Sequence, residues 1–301
     1  MPNRLHAPWP LAAIALSLLG GCAAQMQPVA DFGAAANHLA TIYRPLATGM
    51  AGSCEQRERY VLLGNPGPFD GAVAQRDAAN KCKALNEAGV TAALFGQALA
   101  DYATALAKLS GAKATAFDGE IKGVSGAAAK LATRDGTPLF DSTKLGAASK
   151  IARAAAALVL EEKIQVLTRA TLQDNQEALR IVVEAMKTYA TAIYAGQLAD
   201  THDVMTGELG RLVVASNAPT QADVESRLPW RFAQTAARAD IAANELESRR
   251  VRAFGKSADA LLAAHAELIA NFDKIGGACR LELVSAFVDQ VQSINDDAAA
   301  L

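Results

Sequence analysis

The chain has 301 residues, with 29 Lys plus Arg against 31 Asp plus Glu, and only 5% of its residues are aromatic. This slightly acidic balance provides no basic excess to neutralise phosphates, so nucleic acid and anionic lipid head groups are poor candidate partners. Alanine is the most frequent residue. An apolar, alanine-rich and aromatic-poor composition favours closely packed helices over a β-sandwich or a barrel.

The N-terminal segment has the layout of an export signal. A single cation, Arg4, precedes an apolar run from Leu11 to Leu19, and the run leads into LGGC at Leu19–Cys22. A charged start, an apolar middle and small residues at the exit are typical of secretory signals. The run is shorter than the roughly 20 apolar residues that a membrane-spanning helix needs. LGGC resembles the lipobox of bacterial lipoproteins, and the alternative is an ordinary secretory signal that is cut near Ala23 or Ala24.

The lipobox resemblance implies a lipid-anchored protein. It implies that residues 1–21 form a signal peptide that is removed, and that Cys22 becomes the acylated first residue, with palmitate as a typical acyl chain. Two or more acyl chains anchor a protein stably in a membrane. Ala23 follows the cysteine, which resembles the default for export to the outer membrane in enteric-type lipoproteins. We therefore expect the periplasmic face of a bacterial outer membrane, with display on the cell surface as the open alternative.

The rest of the chain is expected to be one all-helical domain over residues 29–301, after a tether at residues 22–28. Within it, the pattern predicts shorter helices and loops over 29–142, a long helical hairpin over 143–275 and a C-terminal helix over 278–294. The predicted fold is an all-α, elongated antiparallel bundle with two long central helices. Alanine-rich, coiled-coil-like seams let such helices approach closely.

Local signals refine the first part of this bundle. Pro45 is expected to interrupt or kink the first helix, and the turn-rich Gly64–Gly71 ends the second helical stretch. Thr91–Ser110 carries an apolar stripe in steps of three and four residues, as on a helix that lies against a core. Gly111–Ser142 is expected to contain short helices with loops.

The second part carries longer apolar stripes. Thr143–Tyr194 is predicted to be one helix or two nearly collinear ones, some 75 Å long at roughly 1.5 Å per residue. From Leu228 a stripe is predicted to face the core through Phe232, Thr235, Ala239, Ala242 and Leu246, and then from Phe254 through Leu261 and Leu268 to Ile275. The last helix is predicted to fold back on its predecessor with Leu283, Phe287, Val291 and Ile294 on its buried side.

Three cysteines remain once Cys22 takes its lipid. Cys54 and Cys82 flank Gly64–Gly71, so a disulfide between them would join two helices. A loop of about 28 residues corresponds to a stabilisation of roughly 3 to 4 kcal/mol on a chain-entropy estimate. Cys279 lies on the predicted apolar face of the last helix and is expected to be a buried free thiol. Pairing of Cys279 with either of the other two is the alternative.

Side chains for catalysis or metal binding are sparse. The sequence contains no Glu-x-x-His pair of the di-iron bundles, no H-E-x-x-H or C-x-x-C-H motif, no G-x-S-x-G elbow and no glycine-rich phosphate loop. We assign His202, between Asp200 and Asp203, to a solvated helix surface. His265 falls on an apolar stripe and is expected to be a hydrogen-bonded core residue. The sequence thus predicts no catalytic residue, metal or cofactor, and a protein that is not an enzyme.

One cluster suggests a contact surface. RLPWRF at Arg227–Phe232 places Arg227, Trp230 and Arg231 together at the start of a helix, and Trp and Arg are enriched in interface hot spots. The favoured alternative is that Trp230 and Phe232 plug the end of the bundle while both arginines point to water.

These observations favour a non-enzymatic binding or scaffolding module of the cell envelope. We expect attachment to the membrane through lipid on Cys22 and a protein partner in the envelope. The alternative is an immunity-type lipoprotein that neutralises a toxin in the periplasm, and a surface adhesin is a third possibility.

Overall fold

The computed structural model describes residues 26–64, 67–68, 70–109, 138–158, 164–217, 224–275 and 281–299. These residues form an all-α helical bundle, as predicted, and contain no β-strand. The helices are α1 (Gln27–Leu63), α2 (Gly71–Leu109), α3 (Ser142–Leu158), α4 (Ile164–Thr188), α5 (Ala195–Asn217), α6 (Val224–Asn271) and α7 (Glu282–Ala299). A π-helical segment, Tyr189–Tyr194, joins α4 to α5 without a break, and we call the three elements together the α4–α5 rod.

Helices α1 and α2 form a closely packed antiparallel pair. A Cβ atom on Gly33 of α1 would lie 2.7 Å from the carbonyl oxygen of Ala103 in α2. A Cβ atom on Gly89 of α2 would lie 2.5 Å from the carbonyl oxygen of Ala47 in α1. Both distances are too short for a real contact between carbon and oxygen, so the two backbones approach as closely as they do because these positions lack a side chain.

The connection between α1 and α2 lies where it was predicted, at Gly64–Gly71. Helix α1 stops at Leu63, and the carboxylate of Asp70 accepts a hydrogen bond of 2.8 Å from the backbone N–H of Ala72 at the start of α2. Such a bond satisfies a donor that has no partner inside the helix. The predicted disulfide between Cys54 and Cys82 is confirmed, with the Cα atoms 5.9 Å apart.

Helix α6 runs antiparallel to the α4–α5 rod. The amide of Asn244 donates to the carbonyl of Leu198 at 3.2 Å, and the ammonium of Lys187 lies 2.6 Å from a carboxylate oxygen of Asp259. Later residues of the rod therefore contact earlier residues of α6, as in an antiparallel pair. This pair forms the long hairpin of the bundle.

Helix α1 lies parallel to the rod. The hydroxyl of Tyr189 donates to the carbonyl of Ala47 at 2.7 Å, and the hydroxyls of Ser53 and Thr201 lie 2.9 Å apart. The π-helical segment widens the turn relative to an α-helix. As a result, Tyr189 and Tyr194 both lie in the interior although they are five residues apart.

The core is thick at one end of the bundle and thin at the other. The large core cluster draws on every helix that passes through the first end, and its rings include stacked Tyr43 and Phe254, with centroids 5.1 Å apart. At the other end, a separate and much smaller cluster consists of Tyr60, Met205 and Ala237. We call the first region the broad end. The second is the narrow end, which comprises residues 53–63, 201–217 and 224–244.

Two boundaries in the first part of the chain were predicted wrongly. The segment 29–142, predicted as shorter helices and loops, contains α1 and α2, which are 37 and 39 residues long. Helix α1 begins at Gln27, inside the predicted tether at residues 22–28. The long helices form because they bury apolar faces against each other, which favours a helix more strongly than local propensity does.

Pro45 does not interrupt α1, so the first of the two predicted effects is absent. The helix runs through it, and Pro45 and Thr41 are both exposed. Proline removes the hydrogen bond to the carbonyl four residues earlier, which here is that of Thr41 on the solvent side. Tyr43 and Leu46 are buried on the opposite side, so packing holds the helix on either side of the proline.

The segment Thr143–Tyr194 is not one helix or two collinear ones. Helix α3 ends at Leu158 and α4 begins at Ile164. The ammonium of Lys150 in α3 donates to the carbonyl of Asp174 in α4 at 2.5 Å, so the two helices lie side by side and antiparallel. The long hairpin predicted over 143–275 is formed instead by the α4–α5 rod and α6.

The predicted apolar stripe of α6 is correct in its second half and wrong in its first. Phe254, Leu261 and Leu268 are buried. In the first half, four residues that were predicted to face the core are exposed: Phe232, Thr235, Ala239 and Ala242. The inward positions there are held by Ala237 and Asn244.

Helix α7 folds back on α6, as predicted. The carboxylate of Glu267 in α6 accepts hydrogen bonds from the backbone N–H groups of Leu283 and Val284, at 2.9 and 3.0 Å. The helix begins at Glu282 rather than at residue 278. Leu283 was predicted to be buried but is 47% exposed, and Val284 takes its place beside buried Phe287, Val291 and Ile294.

Other predictions fall outside the described residues. They are the signal peptide at 1–21, the lipid site Cys22, most of the loop-rich stretch Gly111–Ser142, and the thiol state of Cys279.

Candidate functional site

Large apolar side chains that face solvent are concentrated at the narrow end and at the adjoining start of α2. Apart from Val90 and Leu283, all of those among the described residues lie in this part of the molecule: Val61, Leu63, Val73, Val214, Leu228, Trp230 and Phe232. Single exposed apolar residues are normal, whereas a concentration of them at one place marks an interaction site. We call the four on the α5–α6 hairpin, Val214, Leu228, Trp230 and Phe232, the hairpin apolar surface.

Trp230 and Phe232 do not plug the end of the bundle, contrary to the favoured prediction. Trp230 is 44% exposed and Phe232 is 73% exposed. Helix α6 begins at Val224 and continues through Pro229, so both rings stand on a regular helix. Phe232 points away from the small core, whereas Trp230 lies seven positions before buried Ala237 on the same helix face and is half-buried. The alternative, a contact surface at these residues, stays a prediction, which their exposure permits.

Three arginines flank the hairpin apolar surface, and the carboxylates of Glu208 and Asp240 lie next to the segments that carry them. The described side chains of residues 209–214 and 228–238 include Arg211, Arg231 and Arg238 and no carboxylate, and all three arginines are exposed. Arg211 pairs with Glu208 at 3.1 Å. Arg227, the remaining residue of the predicted contact cluster, lies in α6, and its side chain is outside the described set.

The inner face of the narrow end combines the small apolar cluster with buried polar groups. The hydroxyl of Tyr60 donates to the carboxylate of Asp240 at 2.8 Å, and burial together with this bond raises the pKa of Tyr60. Asn244 is buried and bonded to the carbonyl of Leu198. Buried polar groups that are satisfied in this way fix how neighbouring helices face each other. At this end of α6, Phe232 is left on the solvent side.

A second feature is a groove between the α4–α5 rod and α6. It has a volume of about 460 Å³. Its floor contains the small side chains of Ala195 and Ala199 together with Val251, and its walls carry His202, Asp203, Glu245, Ser248, Arg249 and Arg252. The groove exists because two alanines one helical turn apart leave space in a seam that larger residues fill elsewhere.

The π-helical segment lies at one end of this groove. Thr191, which belongs to the segment, lines the groove, and its hydroxyl donates to the carbonyl of Lys187 at 2.8 Å. Its methyl group packs on Gly255, where a Cβ atom would lie 2.8 Å away. Single π-helical turns inside α-helices occur frequently at functional sites. This groove was not predicted, although Glu245, Arg249 and Arg252 are spaced by four and three residues, as side chains on one helix face are.

His202 and His265 lie in different surroundings. His202 is on the groove wall, with its ring nitrogens 3.8 Å from Asp203 and 3.6 Å from Glu245. No group of three or more His, Cys, Asp or Glu side chains within the described ranges is arranged to hold a metal ion. His265 is buried, as predicted, with its Nε2 atom 2.9 Å from the hydroxyl of Tyr102, and burial lowers its pKa to about 4.

Comparison of the chain with family models, curated proteins and solved structures finds no match. Among the helices that the structure describes, none combines the length and the apolar character needed to cross a bilayer.

Proposed function

We propose that this protein is a lipid-anchored binding or scaffolding module of the bacterial cell envelope, which contacts a protein partner through the hairpin apolar surface. The observation that carries this proposal is the exposure of Trp230 and Phe232 on a regular helix, beside the exposed guanidinium of Arg231. Interface hot spots are enriched in Trp and Arg. The partner surface that fits has an apolar centre and carboxylates beside it, because the exposed Arg231 and Arg238 lie at this end of α6.

The direction of α1 supports a division of roles between the two ends. Helix α1 begins at the broad end, where Phe32 packs on Phe287, and finishes at the narrow end, where Tyr60 joins the small cluster. If Cys22 carries lipid, the broad end is tethered near the membrane and the narrow end points away from it. At roughly 1.5 Å per residue, the 37 residues of α1 separate the two ends by about 55 Å.

The test is photo-crosslinking in the cell from position 232, with position 90 as the matched control. Val90 is also exposed, at 57%, but lies on α2 away from the hairpin. We expect one envelope protein to crosslink from position 232 and not from position 90. The charge reversal Arg231→Glu should weaken the crosslink, because it removes the attraction to carboxylates. Equal labelling from both positions, or none from either, would overturn the proposed surface.

The anchor is tested separately with Cys22→Ala. We expect mass spectrometry to find acyl chains on Cys22 of the wild-type chain, and Cys22→Ala to lose both the membrane attachment and the crosslink. An unacylated Cys22 would overturn the proposed location. A secreted toxin recovered from position 232 would replace the scaffolding role with the immunity role.

A further inference from the structure

The groove between the α4–α5 rod and α6 carries opposite charges at its two ends. At one end, Asp203 lies on the rod and Glu245 on α6, with His202 between them. Arg249 and Arg252 lie further along α6 toward Thr191. No carboxylate in the described part of the chain is within ion-pair distance of either of these arginines. The groove therefore presents an acidic end and a guanidinium end that are not neutralised by each other.

The spacing of these ends defines the length of a ligand. Glu245 and Arg252 are seven positions apart on one helix, which corresponds to roughly 10 Å at about 1.5 Å per residue. An extended peptide spans at most about 3.3 to 3.6 Å per residue, so three residues cover roughly the same distance. The alanine floor leaves room for a chain of small side chains between the two ends.

We infer that this groove binds a short linear peptide of about three residues, with its carboxylate at Arg249 and Arg252 and its ammonium at Asp203 and Glu245. This site goes beyond the proposed function and does not involve the hairpin apolar surface. Guanidinium groups match carboxylates through two parallel hydrogen bonds, which gives the carboxylate end its direction. Carboxylates at the other end attract the ammonium and disfavour a peptide bound in reverse.

The test is isothermal titration calorimetry of the full chain with three probes that differ only in their charges. The probes are trialanine, N-acetyl-trialanine, which lacks the ammonium, and trialanine amide, which lacks the carboxylate. We expect trialanine to bind, and each capped probe to bind about fivefold more weakly, as for the loss of one exposed ion pair. Absence of binding by all three probes, or equal binding of all three, overturns the proposal.

Two wall variants separate the ends of the site. Glu245→Gln should weaken the binding of trialanine and of trialanine amide by about fivefold, and should leave the binding of N-acetyl-trialanine unchanged. Arg252→Gln should weaken trialanine and N-acetyl-trialanine and leave trialanine amide unchanged. Arg238→Gln, at an exposed position of the same helix outside the groove, is the matched control and should change none of them. If either Glu245→Gln or Arg252→Gln weakens the binding of all three probes equally, the assigned orientation is wrong.

A third variant tests whether the groove itself is the site. Ala199→Leu fills the floor at an exposed helix position, so it should abolish trialanine binding and leave the unfolding midpoint unchanged. Phe232→Ala should leave trialanine binding intact, which keeps this proposal separate from the hairpin contact. Retention of full binding by Ala199→Leu overturns the proposal.

Discussion

The broad and narrow ends use aromatic residues in opposite ways. At the broad end, Tyr43 stacks on Phe254 with ring centroids 5.1 Å apart, and both side chains are fully buried. At the narrow end, Trp230 and Phe232 face solvent while Tyr60 is held inward by a hydrogen bond to Asp240. The broad end therefore has the packing that stabilises the fold. The narrow end has a small, partly polar interior and apolar side chains that are available for contact.

This division leaves the exposed apolar residues of the narrow end without a structural role. A protein interface needs apolar anchors that are exposed in the free protein. Such anchors are tolerated where the helices are already held together by other means. At the narrow end these means are the disulfide between Cys54 and Cys82, the hydroxyl pair of Ser53 and Thr201, and the bond from Asn244.

The largest expected effect comes from the same substitution at two phenylalanines of α6. Phe254→Ala should lower the free energy of unfolding by about 3 to 5 kcal/mol, because it opens a cavity in a close-packed core. Phe232→Ala removes a side chain that is 73% exposed and should change the free energy by no more than about 0.5 kcal/mol. Urea unfolding followed by circular dichroism measures both. Similar losses in the two variants would show that the narrow end also depends on its aromatic residues for stability.

The second prediction concerns the loss of folding stability in acid, which involves His265 at the broad end. Burial lowers the pKa of His265 to about 4 from its ordinary 6.5, so the unfolded chain takes up this proton at a higher pH than the folded chain. Unfolding is therefore favoured as the pH falls. The contribution of His265 is complete above about pH 6.5 and is lost progressively down to about pH 4, by about 3 kcal/mol in total.

The control for this pH dependence is the double variant His265→Phe with Tyr102→Phe. It removes the titrating ring together with the hydroxyl that would otherwise be left without its partner. Asp101, whose pKa is raised by burial, acts in the opposite direction but is present in both chains. The difference in slope between pH 4 and 6.5 therefore isolates His265. If the double variant keeps the full slope in urea unfolding, another group causes the acid sensitivity.

The sequence was sufficient for the fold class, the disulfide and the presence of a last helix, although not for that helix's start or all of its buried face. Alanine content, helical periodicity and the cysteines on either side of Gly64–Gly71 are all visible in the chain. The antiparallel arrangement of α3 and α4 is different, since no glycine or proline occurs between Leu158 and Ile164 in the sequence. The two helices lie side by side because this arrangement buries the apolar faces of both. Such a tertiary effect produces no signal in the local sequence.

The candidate sites were harder to predict for a related physical reason. The stripe from Phe232 to Ala242 has helical periodicity, and periodicity shows that a helix has an apolar face but does not show which face is buried. At the narrow end the buried face is the one with Ala237 and Asn244, because polar bonds take the place of apolar packing. The groove depends on Ala195 and Ala199 lying opposite charged residues of α6, and this pairing arises only in the folded bundle.

The smallest expected effect compares two glycines of α1 that lie toward different ends. At Gly33 a Cβ atom would lie 2.7 Å from the carbonyl oxygen of Ala103, and at Gly52 nothing lies within 4 Å. Gly52→Ala should raise the free energy of unfolding by about 1 kcal/mol, because alanine favours the helix. Gly33→Ala receives the same benefit but forces α1 and α2 apart, so it should be net destabilising by about 1 to 2 kcal/mol. If urea unfolding shows that the free energy of unfolding rises in Gly52→Ala and falls in Gly33→Ala, close backbone contact holds the broad end together. A gain in both variants would mean that α1 can shift away from α2 without loss, and that the aromatic core alone stabilises this end.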